Sequence, residues 1–113
     1  MKKVAVILAE GFEEIEALTS VDVLRRAGAI ASIIGLNDVN IKGCHNICVK
    51  ADVTLREMKE LNYDAIVLPG GLPGASNLAN DTRLKAILQI LIKAISLFVP
   101  FVLLLWCLRV LVC

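Results

Sequence analysis

Residues 1–89 and residues 90–113 differ so strongly in composition that one fold does not account for both. The first part alternates apolar runs with charged segments, as α/β domains do. In the second part, residues 94–113 are apolar apart from Ser96 and Arg109. We therefore interpret residues 1–89 as a partial α/β domain and residues 90–113 as an aberrant tail, whose apolar run predicts either a helix or a strand.

Length and charge exclude several classes of protein. A chain of 113 residues holds one domain at most. Its formal net charge of +1 gives no reason to expect nucleic-acid binding. The hydrophobic fraction of 58% exceeds the roughly 45–50% of average domains, and most of the excess lies in the tail. Lys2 and Lys3 precede an apolar run that is too short for a signal peptide, so we expect a cytoplasmic protein.

The order of predicted elements indicates an open, mainly parallel α/β sheet with flanking helices. Residues 4–9 are a continuous apolar run, typical of a strand buried on both faces. Helical spacing covers residues 13–27, and Gly28 follows as a stop signal. Further strands are predicted at residues 30–36, 47–49 and 65–68, a short helix at 54–61, and a helix that begins over 81–88.

Three helix details are also predicted. Ile15, Leu18 and Val21 lie at helical spacing, which predicts the buried face of the first helix. Thr54 begins a capping-box pattern at the start of the short helix. Asp81 is expected to cap the last helix.

Two loops follow the predicted strands at the edge where open α/β sheets place their sites, namely residues 10–16 and 69–74. The second loop contains Gly70 and Gly71, whose backbone N–H groups can hold an oxyanion or a phosphate. A tight turn that requires positive φ explains the same glycines. The first loop contains Glu13, Glu14 and Glu16, which form either a solvated first helical turn or a carboxylate that tunes a neighbouring thiolate.

The four cysteines do not predict a metal site. Cys44, Cys48, Cys107 and Cys113 form no Cys-x-x-Cys pair, and His45 is the single histidine. We interpret the cysteines as small buried side chains in a reducing compartment, and we expect no metal and no cofactor.

Four segments within the first part carry a family resemblance. They are Ala-Val-Ile-Leu-Ala at residues 5–9, Glu-Glu-Ile-Glu at 13–16, Val-Asp-Val-Leu-Arg-Arg-Ala-Gly at 21–28 and Tyr-Asp-Ala-Ile-Val-Leu-Pro-Gly-Gly at 63–71. Together they resemble the ThiJ/PfpI family, the superfamily of the Parkinson-associated deglycase and of the PfpI intracellular proteases. The resemblance covers about residues 3–89.

The resemblance implies a flavodoxin-like fold, usually in a homodimer, and chemistry that depends on a cysteine. Members act on small reactive carbonyls as glyoxalases or deglycases, on peptides as proteases, or as redox-linked chaperones. The acidic partner of the nucleophile corresponds to Glu16, and the backbone on the oxyanion side corresponds to Gly70 and Gly71. The nucleophile should follow the helix that begins over residues 81–88, on an elbow between a strand and a helix.

The tail does not contain this elbow. In the family it commonly reads Ala-Ile-Cys-Ala with a proline soon after. Cys107 instead lies between Trp106 and Leu108, and no proline follows it. We therefore do not assign Cys107 as the nucleophile.

A shifted reading frame is one hypothesis for the tail. Codons that encode residues 97–109, read one base earlier, can yield Ile-Cys-Ala-Ile-Cys-Ala-Ala-Pro-Met-Val-Leu-Glu, which contains the family's elbow. We infer a one-base loss near the codons of Gln89 and Ile90. The lost nucleophile would then be encoded across Phe101 and Val102.

Two other interpretations of the tail stay open. Residues 94–113 are long enough to cross a bilayer as a helix, with Lys93 and Trp106 near the two interfaces. The same run could instead pack back on the truncated sheet, where Arg109 would need a partner.

These observations lead to three functional hypotheses. The first is a fragment of a cysteine-dependent ThiJ/PfpI-type enzyme that is inactive as written. The second is a protein anchored in a membrane by its tail, with the α/β part as a cytosolic binding module. The third is a working enzyme that uses Cys44, Cys48 or Cys107 as its nucleophile.

Overall fold

The structure is a computed structural model that describes residues 2–58 and 63–94. Its central strand is β1 (Lys3–Leu8). Residues 4–8 of this strand are all buried, because β1 has a strand on each side and packed side chains on both faces. The other elements follow in the order α1 (Glu14–Arg26), β2 (Ile30–Gly35), β3 (Asn40–Lys42), β4 (Cys48–Lys50), β5 (Val53–Thr54), β6 (Ala65–Val67), α2 (Gly74–Asn80) and α3 (Thr82–Ala94).

Four parallel strands form one sheet in the order β5-β2-β1-β6. Val6 of β1 lies opposite Ile33 of β2 and Val67 of β6, so the carboxyl ends of these three strands lie at one edge. The strands β3 and β4 form a separate antiparallel hairpin, which the sequence predicted only in part, through residues 47–49. The parallel sheet with its flanking helices confirms the predicted flavodoxin-like α/β class.

Alternate side chains of β1 enter two different hydrophobic cores. The core on the side of α1 contains Val4, Val6, Leu8, Phe12, Ala17, Val21, Ala31, Ile33, Ile41 and Ala51. The core on the side of α2 and α3 contains Ala5, Ile7, Ala9, Ile34, Leu36, Leu55, Leu78 and Leu84. Burying a side chain such as that of Ile7 contributes roughly 1.5–3 kcal/mol, so β1 stabilises both layers at once.

The buried face of α1 differs from the predicted one. Ile15 and Leu18 are 75% and 38% exposed, whereas Val21 is buried as predicted. The helix instead buries Ala17 against the sheet and Glu14 against the loop between β3 and β4. Small Ala17 allows the helix to approach the sheet closely, and the Glu14 carboxylate accepts hydrogen bonds from the backbone of that loop. The predicted end of the helix is confirmed, since Gly28 follows it with a φ of 89°.

The predicted short helix over residues 54–61 is wrong over its described part. The chain forms only a single 3-10 turn, Leu55–Glu57, and the Thr54 side chain makes no capping hydrogen bond. Thr54 pairs with Gly35 as part of β5, and Leu55 enters the core, so strand pairing and burial override the local helix pattern. Residues 59–61 lie outside the described residues.

The helices α2 and α3 follow the turn after β6. The sequence predicted no helix over α2, which is short and, apart from Leu78, built from small and polar residues. Asp81 caps α3 as predicted, because its Oδ1 accepts a hydrogen bond from the Leu84 N–H at 2.9 Å. Helix α3 extends to Ala94 and therefore runs past the boundary predicted at residue 89.

The predicted membrane span falls almost entirely outside the described residues, which end at Ala94. In the part of the chain that the structure does describe, no helix combines the length and the apolar character needed to cross a bilayer. The alternatives for the rest of the tail, including Cys107 and Cys113, also concern residues outside the described part.

Candidate functional site

The two loops predicted to form a site meet at the carboxyl ends of β1 and β6. The Gly70 N–H donates a hydrogen bond to Glu16 Oε2 at 2.6 Å, and the Glu13 N–H donates to the Gly70 carbonyl at 2.8 Å. These contacts form because β1 and β6 are parallel neighbours, so the loops that leave them begin side by side. The structure thus brings the two predicted loops together and places Glu16 beside the diglycine turn.

Close packing explains why Gly71 is a glycine. Its φ is 103°, and a Cβ atom at this position would lie 2.5 Å from the Glu13 backbone nitrogen. A side chain would therefore combine backbone strain with overlap against the start of α1. The tight-turn explanation is correct for Gly71, while the Gly70 N–H already donates to a carboxylate.

A second group of polar side chains surrounds the start of α1. Glu13 and Glu14 face Cys44 and His45, which lie in the loop of residues 43–47 between β3 and β4. One ligand atom from each of the four residues can be chosen so that all lie within 4.8 Å of one another. The acidic cluster is therefore not a fully solvated helical turn.

Cys44 and His45 make several short contacts in this group. Cys44 Sγ lies 3.5 Å from Glu14 Oε1, 3.6 Å from Glu13 Oε2 and 3.2 Å from His45 Nδ1. His45 Nδ1 lies 3.2 Å from Glu14 Oε1 and 3.6 Å from Glu13 Oε1. The Cys44 N–H donates to the Phe12 carbonyl at 2.8 Å, which fixes the loop against the segment before α1.

Glu14 is the buried member of the group, with only 3% of its surface exposed. Both of its carboxylate oxygens accept hydrogen bonds from the His45 backbone N–H, at 3.1 Å and 3.0 Å. Burial acts to raise the pKa of Glu14, but the hydrogen bonds from the His45 and Glu14 backbone and from the His45 and Cys44 side chains outweigh it. The pKa of Glu14 therefore lies below its ordinary value, and the buried carboxylate is ionised at neutral pH.

The interpretation of the cysteines as buried side chains is wrong for the two that are described. Cys44 is half-buried and Cys48 is exposed. The grouping of Cys44 with two carboxylates and an imidazole escaped the sequence analysis because α1 and the hairpin loop are about thirty positions apart. The available signal was the Gly-Cys-His-Asn turn, where a thiol and an imidazole are adjacent.

The sequence matches a known family model over most of its length. Residues 2–98 match the DJ-1/PfpI family, a stretch that includes all the residues of both groups and reaches beyond residue 89. Among curated proteins, the chain is 39% identical to Protein DJ-1 homolog B of Arabidopsis thaliana over 89 residues, which is 78% of this chain and 20% of that protein. It is also 39% identical to the Parkinson disease protein 7 homolog of Danio rerio over 90 residues, 78% of this chain and 48% of that protein.

Solved structures give the same result. Oxidised DJ-1 of Toxoplasma gondii superposes with a TM-score of 0.78 at 37% identity, over 83% of this chain and 51% of that one. DJ-1beta of Drosophila melanogaster superposes with a TM-score of 0.80 at 33% identity, over 82% and 50%. The chain thus spans about half the length of these structures, and less of the plant relative.

Proposed function

Because the chain belongs to the DJ-1/PfpI family, we propose that it carries one part of a cysteine-dependent catalytic site. Glu16 supplies the acidic partner of the nucleophile, and Gly70 and Gly71 supply the backbone on the oxyanion side. The parent enzyme would act on a small reactive carbonyl, as a glyoxalase or deglycase, or on a peptide.

The hydrogen bond between the Gly70 N–H and Glu16 is the observation that supports this proposal. At 2.6 Å it is a short, charge-assisted bond that positions the carboxylate at the carboxyl edge of the sheet. Covalent catalysis by a thiol needs such a fixed partner, because the attacking group and its proton acceptor must already lie within reach of each other. Gly70 and Gly71 are both buried, which keeps this turn away from bulk water.

We further propose that the 113-residue chain does not turn over substrate. Residues 90–113 contain no elbow of the family type, and the one-base loss near the codons of Gln89 and Ile90 accounts for this. Without a thiolate beside Glu16, no covalent intermediate can form.

Methylglyoxal turnover tests both parts of the proposal. We expect none from the 113-residue chain, and we expect activity from the gene with one base restored near the codons of Gln89 and Ile90. In the restored protein, Glu16→Gln should lower kcat about 10²-fold or more, because it removes the proton acceptor. Sequencing the locus tests the frame itself.

Other outcomes would reject the proposal. Turnover by the 113-residue chain that one change at Cys44, Cys48 or Cys107 to serine abolishes would establish a working enzyme with a different nucleophile. An intact upstream frame, with no family-type frame downstream, would exclude the one-base loss. The homodimer implied by the resemblance and the cytoplasmic location expected from the N-terminal sequence stay predictions, and a molar-mass measurement in solution tests the first.

A further inference from the structure

We propose that Glu13, Glu14, Cys44 and His45 form a binding site for a divalent transition-metal ion, with Zn²⁺ the ion that fits best. The site is separate in its ligands from the pair formed by Glu16 and Gly70. It combines one thiol, one imidazole and two carboxylates, and this mixture of sulfur, nitrogen and oxygen donors suits Zn²⁺ and related ions better than Ca²⁺ or Mg²⁺.

The distances from the Cys44 thiol and from the His45 imidazole to the other ligand groups lie near those around a tetrahedral ion. Bonds of about 2.0–2.3 Å to zinc place neighbouring ligand atoms about 3.3–3.6 Å apart. The corresponding contacts of Cys44 Sγ are 3.2 Å to His45, 3.5 Å to Glu14 and 3.6 Å to Glu13. Those of His45 Nδ1 to the two carboxylates are 3.2 Å and 3.6 Å. Glu13 faces Cys44 with Oε2 but His45 with Oε1, and the four ligand atoms lie within 4.8 Å of one another, so binding of an ion requires the carboxylates to turn and move inward.

The fold supports the ligands on both sides. Glu14 is fixed by the His45 backbone N–H, a contact that holds its oxygens beside the thiol and the ring. The loop backbone packs so closely on this carboxylate that a Cβ atom at Gly43 would lie 2.3 Å from its Cδ. The His45 side chain is 63% exposed and gives an ion access from solvent. Glu14 is thus held in place before an ion binds, and His45 is accessible to an ion from solvent.

Proton release distinguishes metal binding from the hydrogen bonds that connect the same groups. A neutral Cys44 thiol can donate to either carboxylate, and these contacts need no ion. Binding of a divalent ion requires the thiolate and a free electron pair on His45 Nδ1, so the thiol proton passes to solvent. Each bound ion should therefore release at least one proton.

Cobalt(II) titration of the full chain is the direct test. The background is C48S/C107S/C113S, which leaves Cys44 as the single thiol, and Co²⁺ alone is added under reducing conditions while absorption and proton release are recorded. We expect a thiolate-to-cobalt charge-transfer band and tetrahedral ligand-field bands that saturate at one ion per chain. Zn²⁺ should abolish both signals by displacement.

Single changes in that background identify the ligands. Cys44→Ser should remove the charge-transfer band, and His45→Ala should weaken binding at least about tenfold. Cys48→Ser alone in the natural sequence is the matched control, since Cys48 lies in the same hairpin and outside the group; it should leave the affinity unchanged. Circular dichroism confirms that each variant is folded.

Three results would overturn the proposal. They are an unchanged charge-transfer band after Cys44→Ser, an unchanged affinity after His45→Ala, and saturation without proton release. None of these measurements depends on turnover, so the metal site and the proposed catalytic role can fail independently.

Discussion

Glu14 and Glu16 lie two positions apart on one helix but belong to two different kinds of site. Glu16 accepts a hydrogen bond from the diglycine turn, which the parallel sheet places beside α1. Glu14 is buried against the loop between β3 and β4, where Cys44 and His45 contact it. The first site follows from the strand order of the fold, whereas the second depends on how one hairpin loop packs. A motif can therefore predict the first site but not the second.

The largest expected effect is the loss of stability when Gly71, in the site at the carboxyl edge of the sheet, is replaced by alanine. Gly71→Ala should cost roughly 3 kcal/mol or more of unfolding free energy, because its new Cβ would overlap backbone atoms of residues 11–13 and φ is positive. The control is Gly28→Ala, which shares a positive φ but has no atom within 4 Å, and should cost only about 1 kcal/mol. Urea unfolding measures both. Equal costs would contradict the close packing at Gly71.

In the site formed by α1 and the loop between β3 and β4, a glycine-to-alanine change should cost less stability. In Gly43→Ala the new Cβ would meet the Glu14 side chain rather than backbone, and a side chain can move. We expect a cost of roughly 1–2 kcal/mol and weaker cobalt binding, because Glu14 leaves its position. Urea unfolding and the cobalt titration check the two effects. Unchanged cobalt binding in a folded variant would show that Glu14 is not held by this contact.

The two glutamates themselves should differ in their contribution to stability. Glu14→Gln should cost about 1–3 kcal/mol, because the buried carboxylate accepts several hydrogen bonds that an amide satisfies only in part. Glu16→Gln should cost less, about 1 kcal/mol, since the half-buried amide oxygen can still accept from Gly70. Parallel urea titrations compare them. A larger cost at Glu16 would reverse the proposed contrast.

The smallest expected effect is on how stability falls at acidic pH. The folded pKa of Glu14 lies below its unfolded value of about 4.3, so its ionisation stabilises the fold above that pH. This contribution is lost as the pH falls through the folded value. Glu14→Gln should therefore show a shallower loss of stability below about pH 4.5 than the natural chain. Urea unfolding midpoints of both proteins, measured as the pH is lowered through about 4.5, test this prediction. The same fall in midpoint with pH in the two proteins would contradict it.

Much of the fold could be predicted because its signals are local. The apolar run of β1, the stop at Gly28 and the cap at Asp81 each depend on a few neighbouring residues, and all three are confirmed. The buried face of α1 could not be predicted, since Glu14 is buried only through donors from a distant loop. The short helix after Thr54 failed for the same reason, because β2 pairs with that segment.

The candidate sites show the same limit. The two loops were predicted together because strand ends in an open α/β sheet meet at one edge, and the family resemblance then selected Glu16 and Gly70 within them. Cys44 and His45 were excluded as a metal site on their spacing, and no rule for local spacing relates them to the first turn of α1. They come together only because the hairpin packs against the start of α1.

Because β1 contributes side chains to both cores, it should be sensitive to insertions and deletions. Val6 and Ile7 are neighbours in the chain but belong to opposite layers. Moving this strand by one position along its partners would exchange the layers, placing side chains selected for one space into the other. Adding or removing one residue within residues 4–8 should therefore disrupt both halves of the interior together.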